Sequence, residues 1–135
     1  MKEITLEAVL ENIPEVTAFV DRELEACDCG MKAQLQIDVA IDEICSNIAR
    51  YAYAPGHGTV TVQFSFDAPS RTAAITFIDA GTPFDPLEKA DPDVGADLKA
   101  REIGGLGIFL VKKTMDDVRY RRADDQNVLT LLKKI

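Results

Sequence analysis

The chain has 135 residues, 15 of them basic and 23 acidic, for a net charge of −8. That length suits one domain with a real core and leaves no room for a second. The acidic balance argues against nucleic acid or an anionic membrane as the main partner, because both repel an acidic surface.

The charge is uneven: residues 1–103 carry −11 and residues 104–135 carry +3. The basic residues of the tail (Arg119, Arg121, Arg122, Lys133, Lys134) read as a solvated strand face. Nothing after Met1-Lys2-Glu3 resembles a signal-peptide core, and no apolar run approaches the ~20 residues that cross a bilayer. The three cysteines, Cys27, Cys29 and Cys45, cannot all pair within one chain. The expectation is a cytoplasmic protein with reduced thiols. Cys27-x-Cys29 with a single histidine is a poor zinc set, since a structural site normally takes four N or S ligands.

Ile4, Leu6 and Ala8 alternate with polar residues and predict a short strand. From Pro14, the spacing of Val16, Phe19, Val20, Leu24 and Cys27 is that of one helical face, closed by Gly30. Residues 33–53 predict a second helix with Ile37, Ile41, Ile44 and Ile48 as its core stripe, and "YAPGHGT" breaks it. Val60, Val62, Phe64 and Phe66 alternate, as do Ile75 and Phe77 after "DAPSR", which predicts an antiparallel hairpin. Residues 107–116 predict a third helix, and Val118–Arg122 with Val128–Leu132 a closing hairpin around "ADDQN". This order predicts helices on one face of a mixed, mostly antiparallel sheet. Between Gly81 and Gly104 the chain is rich in proline and acid, without sustained periodicity. A stretch of that length inside a small domain is either a lid or a disordered surface insertion.

Four places carry candidate chemistry. Glu43 and Asn47, four apart, share one helix face about 6 Å apart along the axis. There they are either ordinary surface residues or a pair that could hold Mg²⁺ or orient a nucleophile. Asp79 ends "AAITFIDAG" on the parity of Ile75 and Phe77, so its side chain points to the apolar side. It either caps a turn or needs a ligand donor, with Gly81 allowing a ligand close to the backbone. Thr130 alternates with Val128 and Leu132, which predicts a hydroxyl on the same apolar face as Asp79, either bonded to backbone or in the same pocket. In "REIGGLGIFLV", glycines before a helix free several N–H groups for a phosphate, or form a hinge.

Taken in order, "E-x-x-x-N", "D-x-G-x-P-F-D" and "G-G-L-G-I-F-L" resemble the ATP-binding fold shared by gyrase, MutL and histidine kinases, and most closely the stand-alone anti-sigma factor serine/threonine kinases. The resemblance spans residues 35 to 135. It implies an α+β two-layer sandwich, one histidine kinase-like ATP-binding domain over residues 1–135, and an ATP lid over about 84–103. It further implies Glu43 as the catalytic group, acting as general base or polarising the accepting hydroxyl, Asn47 as Mg²⁺ ligand, Asp79 as acceptor for the adenine amino group with Gly81 and Thr130 helping, and Gly104, Gly105 and Gly107 around the phosphates, with Arg101 as a phosphate contact. The implied activity is ATP-dependent phosphorylation of an anti-sigma factor antagonist by a homodimer that also binds a sigma factor. The family often reads N-A-x-x-H-A-Y where this chain has "NIARYAY", with Ile48 and Tyr51 in place of alanine and histidine. A nucleotide-binding module that holds a partner without phosphotransfer is the alternative.

Overall fold

The computed structural model describes residues 1–88 and 105–135. Strand β1 (Lys2–Glu7) leads through a short 3₁₀ turn into helix α1 (Ile13–Ala26), and α2 (Met31–Asn47) follows. A π-helical turn, Ile48–Ala52, ends the second helix. Strands β2 (Thr59–Asp67) and β3 (Thr72–Asp79), helix α3 (Gly105–Thr114), and strands β4 (Asp117–Ala123) and β5 (Gln126–Lys134) complete the order. The sheet runs β1-β2-β3-β5-β4 and every pairing is antiparallel. The parallel component that the sequence left open is therefore absent among the described residues, while the two-layer α+β architecture stands. β2–β3 and β4–β5 are hairpins and β1 reaches its antiparallel neighbour β2 through α1 and α2, whereas β3 and β4, both antiparallel to β5, run parallel to each other and are joined over α3 with β5 between them.

The helices cover one face of the sheet, and strand alternation decides which residues meet them. Val60, Val62 and Phe64 of β2, Ala73, Ile75 and Phe77 of β3, and Leu129 and Leu131 of β5 are buried there. Against them lie Val16, Val20 and Leu24 of α1, Ile37, Ile41 and Ile44 of α2, and Ile108, Val111 and Met115 at α3. The opposite face carries hydroxyl pairs, Thr5 with Thr61 and Thr76 with Thr130. No helix among the described residues is long and apolar enough to cross a membrane.

The second helix is helical nearly as far as its periodicity indicates, but its last turn widens into π geometry. Tyr53 anchors that end: its hydroxyl donates to Thr59 O at 2.6 Å and accepts from the Ala80 N–H at 2.8 Å. The Thr82 N–H donates to Ala52 O at 2.8 Å. The helix end is thus fastened to both the start of β2 and the residues after β3. An extra residue in the turn lets Tyr51 and Ala52 border a cavity while Ile48 stays in the core stripe.

Candidate nucleotide-binding site

Where α2 ends beside the end of β3, a cavity of about 170 Å³ opens. Its walls are mostly apolar, with Ile44, Ile48, Phe77, Ile108 and Leu129 among them. Asn47, Asp79, Thr82 and Asn127 supply polar groups. Such a cavity, apolar with a few convergent polar atoms, has the composition of a small-molecule site.

Asp79 is 5% exposed, on the helix-facing parity that its strand pattern predicts. Its Oδ1 accepts from the Gly81 N–H at 2.9 Å and from Asn127 Nδ2 at 3.0 Å. Its Oδ2 accepts no hydrogen bond among the described residues, and Asp79 lines the cavity. One oxygen of the carboxylate is held by the fold, and the other is left as an acceptor for something that enters.

Gly81 serves this arrangement differently from the close ligand approach expected of it. A β-carbon there would collide with Ala52, backbone and side chain alike. Its lack of a side chain lets the turn after β3 close on the π-helical turn, and its N–H holds Asp79.

Thr130 is not in the cavity. In the β3–β5 register Asp79 faces Asn127, Phe77 faces Leu129 and Ile75 faces Leu131, whereas Thr130 faces Thr76 on the opposite side of the sheet, their hydroxyls 3.1 Å apart. The apolar run Val128-Leu129 and Leu131-Leu132 fits either parity, and the register selects the odd-numbered one. Asn127, buried at 6% exposure, takes the place expected of Thr130. Arg122, read from sequence as part of a solvated face, is exposed as expected and in addition donates from Nη1 to Gly81 O in the turn after β3 at 2.9 Å. A basic run gives no sign of such a contact. Arg119 of the same strand matches the solvated reading too: it pairs with Asp117 at 2.8 Å in water, a contact that contributes little.

Glu43 and Asn47 lie along α2 as their spacing requires, and they divide the work of position. Asn47 lines the cavity. Glu43 faces the first turn of α3, where its carboxylate occupies the space that a β-carbon on Gly107 would need. Burial raises the Glu43 pKa above the usual carboxylate value; Asp42 adds to this and Arg50 opposes it. Gly105 opens α3. Gly104, Arg101 and the remainder of the expected lid, residues 89–103, lie outside the described residues. Of the lid's first part, Phe84 and Pro86 border the cavity, and Asp85 Oδ1 accepts the Leu87 N–H at 2.8 Å.

Comparison with known proteins identifies the family. The family model described as a histidine kinase-like ATPase domain matches residues 6–133. The chain belongs to this family. Among characterised relatives, the serine/threonine-protein kinase BtrW of Bordetella bronchiseptica is 27% identical over 100 residues, covering 74% of this chain and 70% of that protein. The serine-protein kinase RsbW of Listeria monocytogenes is 32% identical over 88 residues, covering 62% of this chain and 55% of its own length. RsbW of Bacillus cereus is 30% identical over 95 residues, covering 67% and 58%. The matched stretch is thus little more than half of the RsbW chains. As a member of the histidine kinase-like ATPase domains, this chain places Asp79, Asn47 and the first turn of α3 around one cavity.

Proposed function

We propose that this protein binds Mg-ATP in the cavity beneath α2 and transfers the γ-phosphoryl group to a serine or threonine of an anti-sigma factor antagonist. In this reading the protein is a cytoplasmic homodimer that holds a sigma factor when the antagonist does not engage it. The observation that carries the reading is Asp79: a buried carboxylate whose Oδ1 is occupied by two internal donors and whose Oδ2 is left to a cavity bordered by Asn47. An adenine amino group supplies the missing donor. The kinase names of the relatives support the reaction type.

The residues present suit the ligand. The apolar walls of Ile48, Phe77 and Leu129 accept a flat base. The first turn of α3, with Gly105 and Gly107, offers the N–H groups of a helix start and its positive end to phosphate. Among the described residues no three His, Cys, Asp or Glu side chains gather to hold a metal. Mg²⁺ is usually held by one or two protein groups together with the substrate's phosphates. Asn47 would hold it, and bound there it would neutralise phosphate charge. Glu43, beside Gly107 and with its pKa raised by burial, would accept the proton of the attacking hydroxyl.

The test is phosphotransfer. With Mg-ATP and a candidate antagonist, the wild-type protein is expected to add the mass of one phosphate to the partner. Glu43→Ala is expected to slow transfer by roughly 10²–10⁴-fold, the usual contribution of a positioned base, with ATP affinity within about twofold of wild type. Transfer by Glu43→Ala at the wild-type rate would remove Glu43 from the chemistry. A second reading, a module that binds nucleotide and partner without transfer, is favoured by Tyr51, which stands at the cavity's edge, 67% exposed, where the family often has histidine. ATP binding without any mass gain on the partner would select it.

A further inference from the structure

Asn127 stands directly across the β3–β5 ladder from Asp79, and all of its hydrogen-bonding capacity is used. Its Nδ2 donates to Asp79 Oδ1 at 3.0 Å and to Thr82 O at 2.9 Å. Its Oδ1 accepts from the Tyr120 hydroxyl at 2.6 Å and from the Phe84 N–H at 3.2 Å. The amide has one orientation consistent with these partners. A carbonyl and a carboxylate can only accept, and a backbone N–H can only donate, so nitrogen must face Asp79 and Thr82 while oxygen faces Phe84.

One side chain therefore joins three parts of the cavity: the carboxylate at its floor, the Thr82–Phe84 segment at its rim, and Tyr120 of β4. Buried amides with every donor and acceptor matched hold a single geometry, because any rotation leaves polar groups unpaired in a poorly solvated place. For Asp79 the consequence is directional. Two donors on Oδ1 fix the carboxylate plane and keep Oδ2 as the acceptor that meets a ligand. Without Asn127, the Gly81 N–H alone would hold Oδ1, and the carboxylate could turn about its last torsion.

We propose that Asn127 is a positioning residue that sets the base preference of this pocket, holding Asp79 so that a 6-aminopurine nucleotide is accepted over a 6-oxopurine one. The inference rests on the nucleotide reading above and goes beyond it. The amino group of the ligand meets Oδ2 as donor to acceptor, whereas a 6-oxo group would meet it as acceptor to acceptor. Discrimination of this kind depends on a held geometry more than on contact area. Tyr120 acts one step further out, through the amide oxygen.

The experiment measures binding of ATP and of inosine triphosphate to the full chain by calorimetry. Wild type is expected to prefer ATP. Asn127→Ala is expected to lose about tenfold or more in ATP affinity, the scale of a hydrogen bond to a charged group, with inosine triphosphate changed by less than about twofold, so that the preference collapses. Asn127→Asp keeps an acceptor for Tyr120 and Phe84 but loses the donors to Asp79 and Thr82 and sets a second carboxyl against Asp79, and its preference is expected to fall as well. This second variant keeps the amide-oxygen side of the network, and it preserves side-chain volume if the alanine variant does not fold. Equal losses for both nucleotides would mean that Asn127 is structural alone and would overturn the proposal. An ATP preference that survives in the variants would also overturn it, leaving the nucleotide reading intact. A wild-type chain that binds neither nucleotide would remove both.

Discussion

A carboxylate with one oxygen held and one open makes the cavity selective, and the amide isostere tests that division. In Asp79→Asn, the Gly81 N–H and Asn127 Nδ2 both need an acceptor, so the new side chain must leave its oxygen where Oδ1 was. Its NH₂ then points into the cavity as a donor facing a donor. ATP affinity is expected to fall by roughly 10–100-fold, the range for losing a charge-assisted hydrogen bond, with little change in melting temperature. Titration calorimetry beside a melting curve would measure both, and unchanged affinity would remove Asp79 from base recognition. The direction of Asp79 was legible in sequence because Ile75, Phe77 and Asp79 share a parity with no competing pattern. Asn127 was not legible. The run Val128-Leu129-Thr130-Leu131-Leu132 offers apolar residues on both faces, and the choice between them is made by register with β3, a non-local fact. The contact of Arg122 was hidden for a similar reason: Arg122 is exposed like Arg119 and Arg121, and only the fold brings Gly81 O within its reach.

Elements were easier to read than residues, because each carries its own period. The isoleucine stripe of α2, the two alternating runs of β2 and β3, and the break at "YAPGHGT" all lie where local pattern puts them. The widened last turn of the second helix does not, since it follows from Tyr53 and Thr82 fastening the helix end to distant strands. At the β4–β5 hairpin, local chemistry and geometry conflict. Ala123 pairs with Gln126, so the turn has two residues, Asp124 and Asp125, with φ of 53° and 59°. Positive φ at both central positions is the type I′ arrangement, for which Asp-Gly is much preferred to Asp-Asp. Asp125→Gly is therefore expected to raise stability by roughly 0.5 kcal/mol, as relief of left-handed strain outweighs the added chain entropy of glycine. Asp125→Val should lower it, because a β-branched residue tolerates that region poorly. Urea midpoints of the two variants would move in opposite directions from wild type; movement in the same direction would exclude strain as the cause.

At the scale of the whole molecule, an acidic protein has placed two of its carboxyls against each other between packed helices. Asp21 of α1 and Asp38 of α2 each bury one oxygen, and in the ionised state neither oxygen finds a donor. A proton on Asp38 would supply one. Burial, then the hydrogen bond to Asp21, then the charges of Asp21 and Glu25 push the Asp38 pKa up from 3.8 to about 7. An acid whose pKa is higher folded than unfolded binds more protons in the native state between those two values. Its stabilising contribution is thus complete below about pH 4 and is lost as pH rises through about 7. Part of the shift is screened because the pair is half-exposed, so about 1 kcal/mol is the expected scale. Asp38→Asn keeps a permanent donor toward Asp21 and removes the titration. Compared with wild type, this variant should be more stable at pH 8 and should lose less stability between pH 5 and pH 8. Urea unfolding across that range isolates the pair from the general repulsion of a chain at net charge −8, because the repulsion acts on both proteins and cancels in their difference. Parallel stability profiles for the two proteins would mean that no proton is held between α1 and α2.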